Sequence, residues 1–238
     1  MKTWLNLFTV FLLFCMLTVS IQAENREPFV LPENEKDALS GVFFFGESTT
    51  AHLARVGGVL DNDMYRGKVL RDESGTRYLD MRILSSPVIY EGKKLSFAEA
   101  VERTQPRVLV LSFGLNGIMR WSRDPEAFLR NYRALINGIL ECSPNTKIIL
   151  QSIYPVGEND CFSSPVHVLN SQIDTLNGYI ASLSNAYENV DYINTATLLV
   201  DSSGTLSPEY DVGDGIHLTN EAYRIILSYL FQSIRGAE

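Results

Sequence analysis

Beyond the N-terminal segment, VFFF at 42–45 and RVLVLSF at 107–113 are almost wholly apolar, and TKIILQSI at 146–153 has an apolar centre. A fourth short run, VDYI, follows at 190–193. Runs of this length, rich in β-branched and aromatic residues, read as strands covered on both faces. Between them lie stretches with helical punctuation. SFAEAVERT at 96–104 opens with a Ser-x-x-Glu capping box. Asp124 caps a long helix that has Pro125 at its first position and runs to about Cys142. Further helices are expected from about Val166 to Tyr187 and from about Asn220 to Ile234. Apolar strands alternating with helices indicate a parallel sheet between helix layers, so the expected fold class is α/β, a three-layer α/β/α sandwich.

Residues 59–94 break the pattern. Strand-like pieces are expected at Met64–Leu70 and Tyr78–Leu84, punctuated by Gly67, Gly75 and Gly92. A short helix is expected from about Thr50 to Val56, stopped by Gly57-Gly58.

The N-terminus reads as a targeting segment. Lys2 precedes an apolar stretch, Trp4 to Val19, and Ala23 offers a small residue before polar Glu24-Asn25-Arg26-Glu27. This pattern is that of a secretory signal peptide over 1–23, cleaved after about Ala23, with an uncleaved anchor as the alternative. Residues 24–40 form a polar linker or arm, and 41–238 the single globular domain. The expected location is outside the cell or in its envelope. A net charge of −8 and the lack of a basic run exclude nucleic acid as the main partner. After cleavage only Cys142 and Cys161 remain, without the spacing of a zinc site. No cofactor is expected.

In a parallel α/β sheet, ligands meet the chain beyond the carboxyl ends of the strands. Gly46-Glu47-Ser48 follows the first strand and Gly114-Leu115-Asn116-Gly117 follows the run at 107–113. Gly213-Asp214-Gly215-Ile216-His217 comes just before the last helix. A sheet would gather these distant stretches on one rim. A serine hydroxyl needs a base, which His217 supplies. The imidazole needs a carboxylate to set its tautomer, which Asp214 supplies from three residues earlier. The Ser48 N–H, at a helix start, and the Asn116 side chain are placed to donate to a developing oxyanion. Ser48 by itself would be an ordinary helix cap; its partners favour a nucleophile.

These three stretches resemble the motifs of the GDSL, or SGNH, hydrolase family of serine esterases, over roughly residues 41 to 234. The resemblance implies a flavodoxin-like sheet, with Ser48, Asp214 and His217 catalytic and Ser48 and Asn116 in the oxyanion hole. A further oxyanion donor is implied in a glycine after the second strand; Gly75 is the choice and Gly67 the alternative. Two positions depart from the family. Glu47 replaces an Asp that braces the turn, and Gly117 replaces the Asp that follows the Asn.

The expected activity is hydrolysis of acyl esters through an acyl-enzyme. The partner is a small-molecule or carbohydrate ester, short acyl groups on carbohydrate being the analogy from the family. O-acyl transfer by the same site, or ligand binding without catalysis, are the alternatives. His52, one turn after Ser48, is expected to pack or hydrogen-bond beneath the site rather than act as a second base. His167 is expected at the surface, and Trp121 is a candidate for shaping the substrate side.

Overall fold

The computed structural model describes residues 40–62, 64–72, 77–159 and 162–236. The expected signal peptide and nearly all of the arm lie outside these residues, as does Gly75. Four parallel strands, β1 (Val42–Gly46), β4 (Val108–Ser112), β5 (Lys147–Gln151) and β6 (Val190–Ile193), pair in the order β1-β4-β5-β6. An isolated parallel bridge, Phe44 with Val69, adds one more extended position on the far side of β1. The chain thus goes outward from β1 to Val69, then back across β1 to β4. This is the flavodoxin-like order, with its topological switch point between β1 and β4.

Each strand presents alternate residues to opposite helix layers, because side chains alternate across a strand. Phe43, Phe45, Leu109, Leu111, Ile148 and Leu150 join one cluster with α2 (Phe97–Thr104), α4 (Pro125–Cys142) and α5 (Val166–Ser184). Phe44, Val110 and Ile149 are equally buried but stand outside that cluster. So do Ala222, Tyr223, Ile226, Leu227, Leu230 and Phe231 of α6 (Asn220–Gly236), which supply the second layer. Among the described residues, no helix is long and apolar enough to cross a membrane.

The expected caps of α2 and α4 are formed. Ser96 Oγ accepts the Glu99 N–H at 3.2 Å while the Glu99 carboxylate accepts the Ser96 N–H at 2.8 Å. Asp124 Oδ1 accepts the Ala127 N–H at 2.9 Å.

The segment 59–94 differs from expectation. Met64–Leu70 is not a strand. Asn62 Oδ1 accepts the N–H groups of Met64 and Tyr65 at 3.1 and 3.0 Å, and the chain then coils into a 3-10 turn, Arg66–Lys68. Side-chain capping of this kind offers the backbone an alternative to the ladder. Tyr78–Leu84 is likewise no strand: Asp80 Oδ1 takes the Arg82 N–H at 2.8 Å, and a 3-10 turn follows at Ile83–Ser85. The strands here are a hairpin instead, β2 (Pro87–Tyr90) with β3 (Lys93–Ser96). Its two-residue loop puts Glu91 and Gly92 at φ 48° and 72°, the backbone of a type I′ turn. The helix expected to reach Val56 is a single α-turn, α1 (Ser48–Ala51), followed by a 3-10 turn, His52–Ala54.

After β5 the chain runs without regular secondary structure from Ser152 to Asn159. Two asparagines on α5, two turns apart, hold it. Asn177 pairs with both backbone groups of Ile153 at 2.7 and 3.1 Å, and Asn170 with both of Val156 at 2.9 Å. Each amide pairs an N–H and a C=O beyond the end of the sheet, and the Val156 carbonyl also accepts the Leu206 N–H at 3.1 Å.

Candidate active site

Gly46 ends β1 opposite Ser112 of β4. An added Cβ at Gly46 would lie 2.5 Å from the Ser112 carbonyl oxygen and 2.2 Å from Thr50 Oγ1. Only glycine lets the chain turn so tightly against its neighbour. The turn makes Ser48 the first residue of α1, so its N–H has no carbonyl of its own helix to bond.

Glu47 points the other way, into the switch point. It is 3% exposed, and its two carboxylate oxygens accept the N–H of Gly114 at 3.0 Å and that of Asn116 at 2.9 Å. Thus the residue beside the serine braces the loop after β4. Burial raises its pKa and those N–H groups pull it back, leaving it at about 7 against an ordinary 4.5. An acid whose folded pKa is raised binds protons more tightly when folded, so stability falls as pH climbs from about 4.5 through 7. The loss amounts to about 3 kcal/mol. Denaturant unfolding at pH 5 and pH 8 checks this: wild type should lose that much more than Glu47→Gln over the interval.

Asn116 is held from three sides. Its N–H meets Glu47, its carbonyl accepts Trp121 Nε1–H at 2.9 Å, and its Nδ2 donates to the Arg77 carbonyl at 2.6 Å. One Nδ2–H is left over, because an amide carries two. Trp121 is 1% exposed. It braces Asn116 from within the core and does not line the substrate side. Gly117 adopts φ 88° and starts α3 (Ile118–Arg123), where its carbonyl accepts the N–H groups of Arg120 and Trp121. The missing Asp at this position therefore coincides with a left-handed turn that favours glycine.

The third stretch is built around two aspartates. Asp211 Oδ1 accepts the N–H groups of Gly213, Asp214 and Gly215 at 2.8, 3.1 and 3.0 Å. The Val212 N–H bonds the His217 carbonyl at 3.1 Å, and Asn159 Nδ2 donates to the Asp214 carbonyl. Within this frame Asp214 Oδ1 accepts the N–H of Ile216 at 2.9 Å and of His217 at 2.7 Å, while Oδ2 meets His217 Nδ1 at 2.6 Å. Burial pulls the Asp214 pKa up, but the His217 backbone N–H, the His217 ring and the Ile216 N–H outweigh it. The carboxyl is held below its ordinary value.

His217 Nε2 lies 3.1 Å from Ser48 Oγ. Ser48, His217 and Asp214 therefore form one hydrogen-bonded line, although Ser48 and His217 are 169 residues apart. With Nδ1–H donated to the carboxylate, Nε2 carries the lone pair that faces the hydroxyl. Such an arrangement can take a proton from the serine as its oxygen attacks a carbonyl carbon.

Of the other sites read from sequence, Gly67 is exposed within the 3-10 turn Arg66–Lys68. His167 is exposed. His52 stacks on His217, with ring centroids 4.3 Å apart. The supports without a sequence-based expectation are Asp211, Asn159 and the Arg77 carbonyl, while Trp121, expected at the substrate side, is a support instead. Only Asp211 carried a signal, the Asx-turn chemistry of Asp-Val-Gly-Asp-Gly. Among the described residues, no three His, Cys, Asp or Glu side chains gather as they would around a metal.

A family model, GDSL-like Lipase/Acylhydrolase family, matches residues 44–225. Solved structures of similar fold include a GDSL-like lipase from Bacteroides thetaiotaomicron, 20% identical with a TM-score of 0.55, over 86% of this chain and 96% of that one. Est24, a carbohydrate acetylesterase from Sinorhizobium meliloti, is 14% identical with a TM-score of 0.53, over 83% and 99%. The acetyl xylan esterase AlAXEase is 18% identical with a TM-score of 0.55, over 81% and 98%. At these identities the likeness is one of fold. No curated protein matches the chain.

Proposed function

The chain belongs to the GDSL-like lipase/acylhydrolase family, and from that membership as an ester-hydrolysing serine hydrolase we propose that Ser48 is its nucleophile, His217 its base and Asp214 the carboxylate that orients the base. The single observation that carries this reading is the 3.1 Å contact of His217 Nε2 with Ser48 Oγ, backed by the 2.6 Å contact of Nδ1 with Asp214.

Ser48 Oγ adds to the ester carbonyl as its proton passes to His217 Nε2. The Ser48 N–H and the unused Nδ2–H of Asn116 receive the oxyanion. The family pattern implies Gly75 as a further donor. His217 returns the proton to the leaving alcohol, and the acyl-enzyme forms. Water then gives a proton to the same nitrogen as it adds to the acyl carbon, and the acid departs with Ser48 restored. Every step uses one imidazole, whose tautomer Asp214 holds.

The substrates we propose are short acyl esters of carbohydrate, met after export through the N-terminal segment. Two proteins of similar fold, described as a carbohydrate acetylesterase and an acetyl xylan esterase, support this class. Catalysis is favoured over binding alone because both departures from the family motif have structural roles. Glu47 braces the Asn116 loop and Gly117 starts α3, so neither signals a dismantled site.

A fluorophosphonate probe tests the nucleophile directly. Covalent labelling located to Ser48 by peptide mass is the expected result, and a folded chain that stays unlabelled overturns the reading. Asn116→Ala should lower kcat on a p-nitrophenyl acyl ester about 10²–10³-fold, the usual loss for one oxyanion donor. Product analysis with an added sugar acceptor separates hydrolysis from acyl transfer.

A further inference from the structure

His52 is the C-terminal cap of α1, and its N–H bonds the Ser48 carbonyl. Residues four apart on a helical turn share a face, so the His52 ring rises beside the Ser48 hydroxyl. There it lies against the flat side of His217, with centroids 4.3 Å apart and planes 30° from parallel. The backbone beneath is rigid: Leu53 and Ala54 are buried, and the Leu53 carbonyl accepts the Leu60 N–H at 2.7 Å.

Asp214 and Ser48 hold the His217 ring at its two nitrogens, with bonds that lie in the ring plane. A contact against the face resists rocking of the ring out of that plane. His52 supplies it. We propose that His52 is a positioning residue for the reaction, its flat ring holding the plane of the His217 imidazole and backing it while it carries the Ser48 proton.

The state of His52 suits that task. Its Nδ1 is buried and has no hydrogen-bond partner among the described residues, so a proton there would be an N–H without an acceptor. Burial first, then the neighbouring His217 and Arg55, lower its pKa from 6.5 to about 4. A neutral ring face attracts a cation placed over it, whereas a charged one would repel it. His52 therefore favours the moment when His217 is an imidazolium, and does not compete for the serine proton.

This inference rests on the reading of His217 as base, and the test separates the two. His52→Leu fills the space without a flat face; His52→Phe keeps the face without nitrogens. A role in space-filling alone predicts the same behaviour for both. We expect His52→Leu to lower kcat on a short acyl ester ~10- to 100-fold, the scale of a misplacement of about 1 Å, with KM nearly unchanged. His52→Phe should restore most of the loss. The rate of Ser48 labelling by a fluorophosphonate should follow kcat in both variants. Equal activity of the two variants, whether both intact or both impaired, overturns the inference. Failure of the wild-type chain to label overturns the reading beneath it instead. Thermal melts identify a variant that is merely unfolded, and should His52→Leu not fold, His52→Ala takes its place.

Discussion

Replacing Ser48 with alanine is expected to lower turnover of a short acyl ester by roughly 10⁶-fold, the scale seen when the nucleophile of a serine triad is removed. The size follows from the nucleophilic role proposed for Ser48 Oγ. It is the group that His217 Nε2 faces, at 3.1 Å. With it gone, no acyl-enzyme forms, and water must attack without covalent help. The other donors stay in place: the backbone N–H at position 48 and the Asn116 amide, whose bonds to Glu47, Trp121 and Arg77 do not involve the serine side chain. If those groups act as the proposed oxyanion donors, binding and oxyanion stabilisation survive and leave a small residual rate above water. Folding should be nearly unaffected, since no cap bond depends on the hydroxyl. Steady-state kinetics with a thermal melt of the same preparation check both parts. An alanine variant within tenfold of wild type would remove Ser48 from the mechanism.

The second large effect is expected at Asp214. Its Oδ1 accepts two backbone N–H groups and its Oδ2 accepts the His217 ring. An asparagine at this position has one oxygen to offer. The two backbone donors claim that oxygen, and the amide NH₂ is turned toward Nδ1. His217 must then present a lone pair at Nδ1 and a proton at Nε2, where Ser48 needs a base. The wrong tautomer is locked in by the same loop that made the right one. Asp214→Asn should lower kcat by about 10⁴-fold without unfolding the loop, because Asp211 holds the turn through Gly213, Asp214 and Gly215 independently. Kinetics at neutral pH, with fluorophosphonate labelling as a second readout, distinguish this from a general loss of structure. Labelling should slow along with kcat. A variant that labels at the wild-type rate would show that the carboxylate charge does not set the tautomer.

Glu47 shows how stability and function oppose each other in this site. The carboxylate that best accepts two loop N–H groups is the ionised one, which burial disfavours. The molecule bears that cost because the brace holds Asn116, across the switch point from Ser48.

The elements legible in the sequence were those whose signals are local. The apolar runs at 42–45, 107–113 and 146–153 became β1, β4 and β5 because continuous burial on both faces leaves no polar alternation. The Ser96 and Asp124 caps were legible because a cap bonds within three residues. Where side-chain turns competed with strand propensity, the reading failed: Asn62 and Asp80 each diverted a stretch that looked extended. The hairpin β2–β3 went unread because its loop begins with Glu91 at positive φ, a place where Asn, Asp or Gly is the usual signal.

Residue type and periodicity over short windows were enough to mark a hydroxyl and an amide, Ser48 and Asn116, just beyond strand ends, and a carboxylate and an imidazole, Asp214 and His217, ahead of the last helix. Tertiary structure alone decided how those groups meet. The parallel register of β1 with β4 brought Glu47 to the Asn116 loop, and the fold brought His217 against both Ser48 and His52. Contacts spanning 69 and 169 residues depend on how helices pack across a sheet, and no pattern confined to neighbouring residues records that.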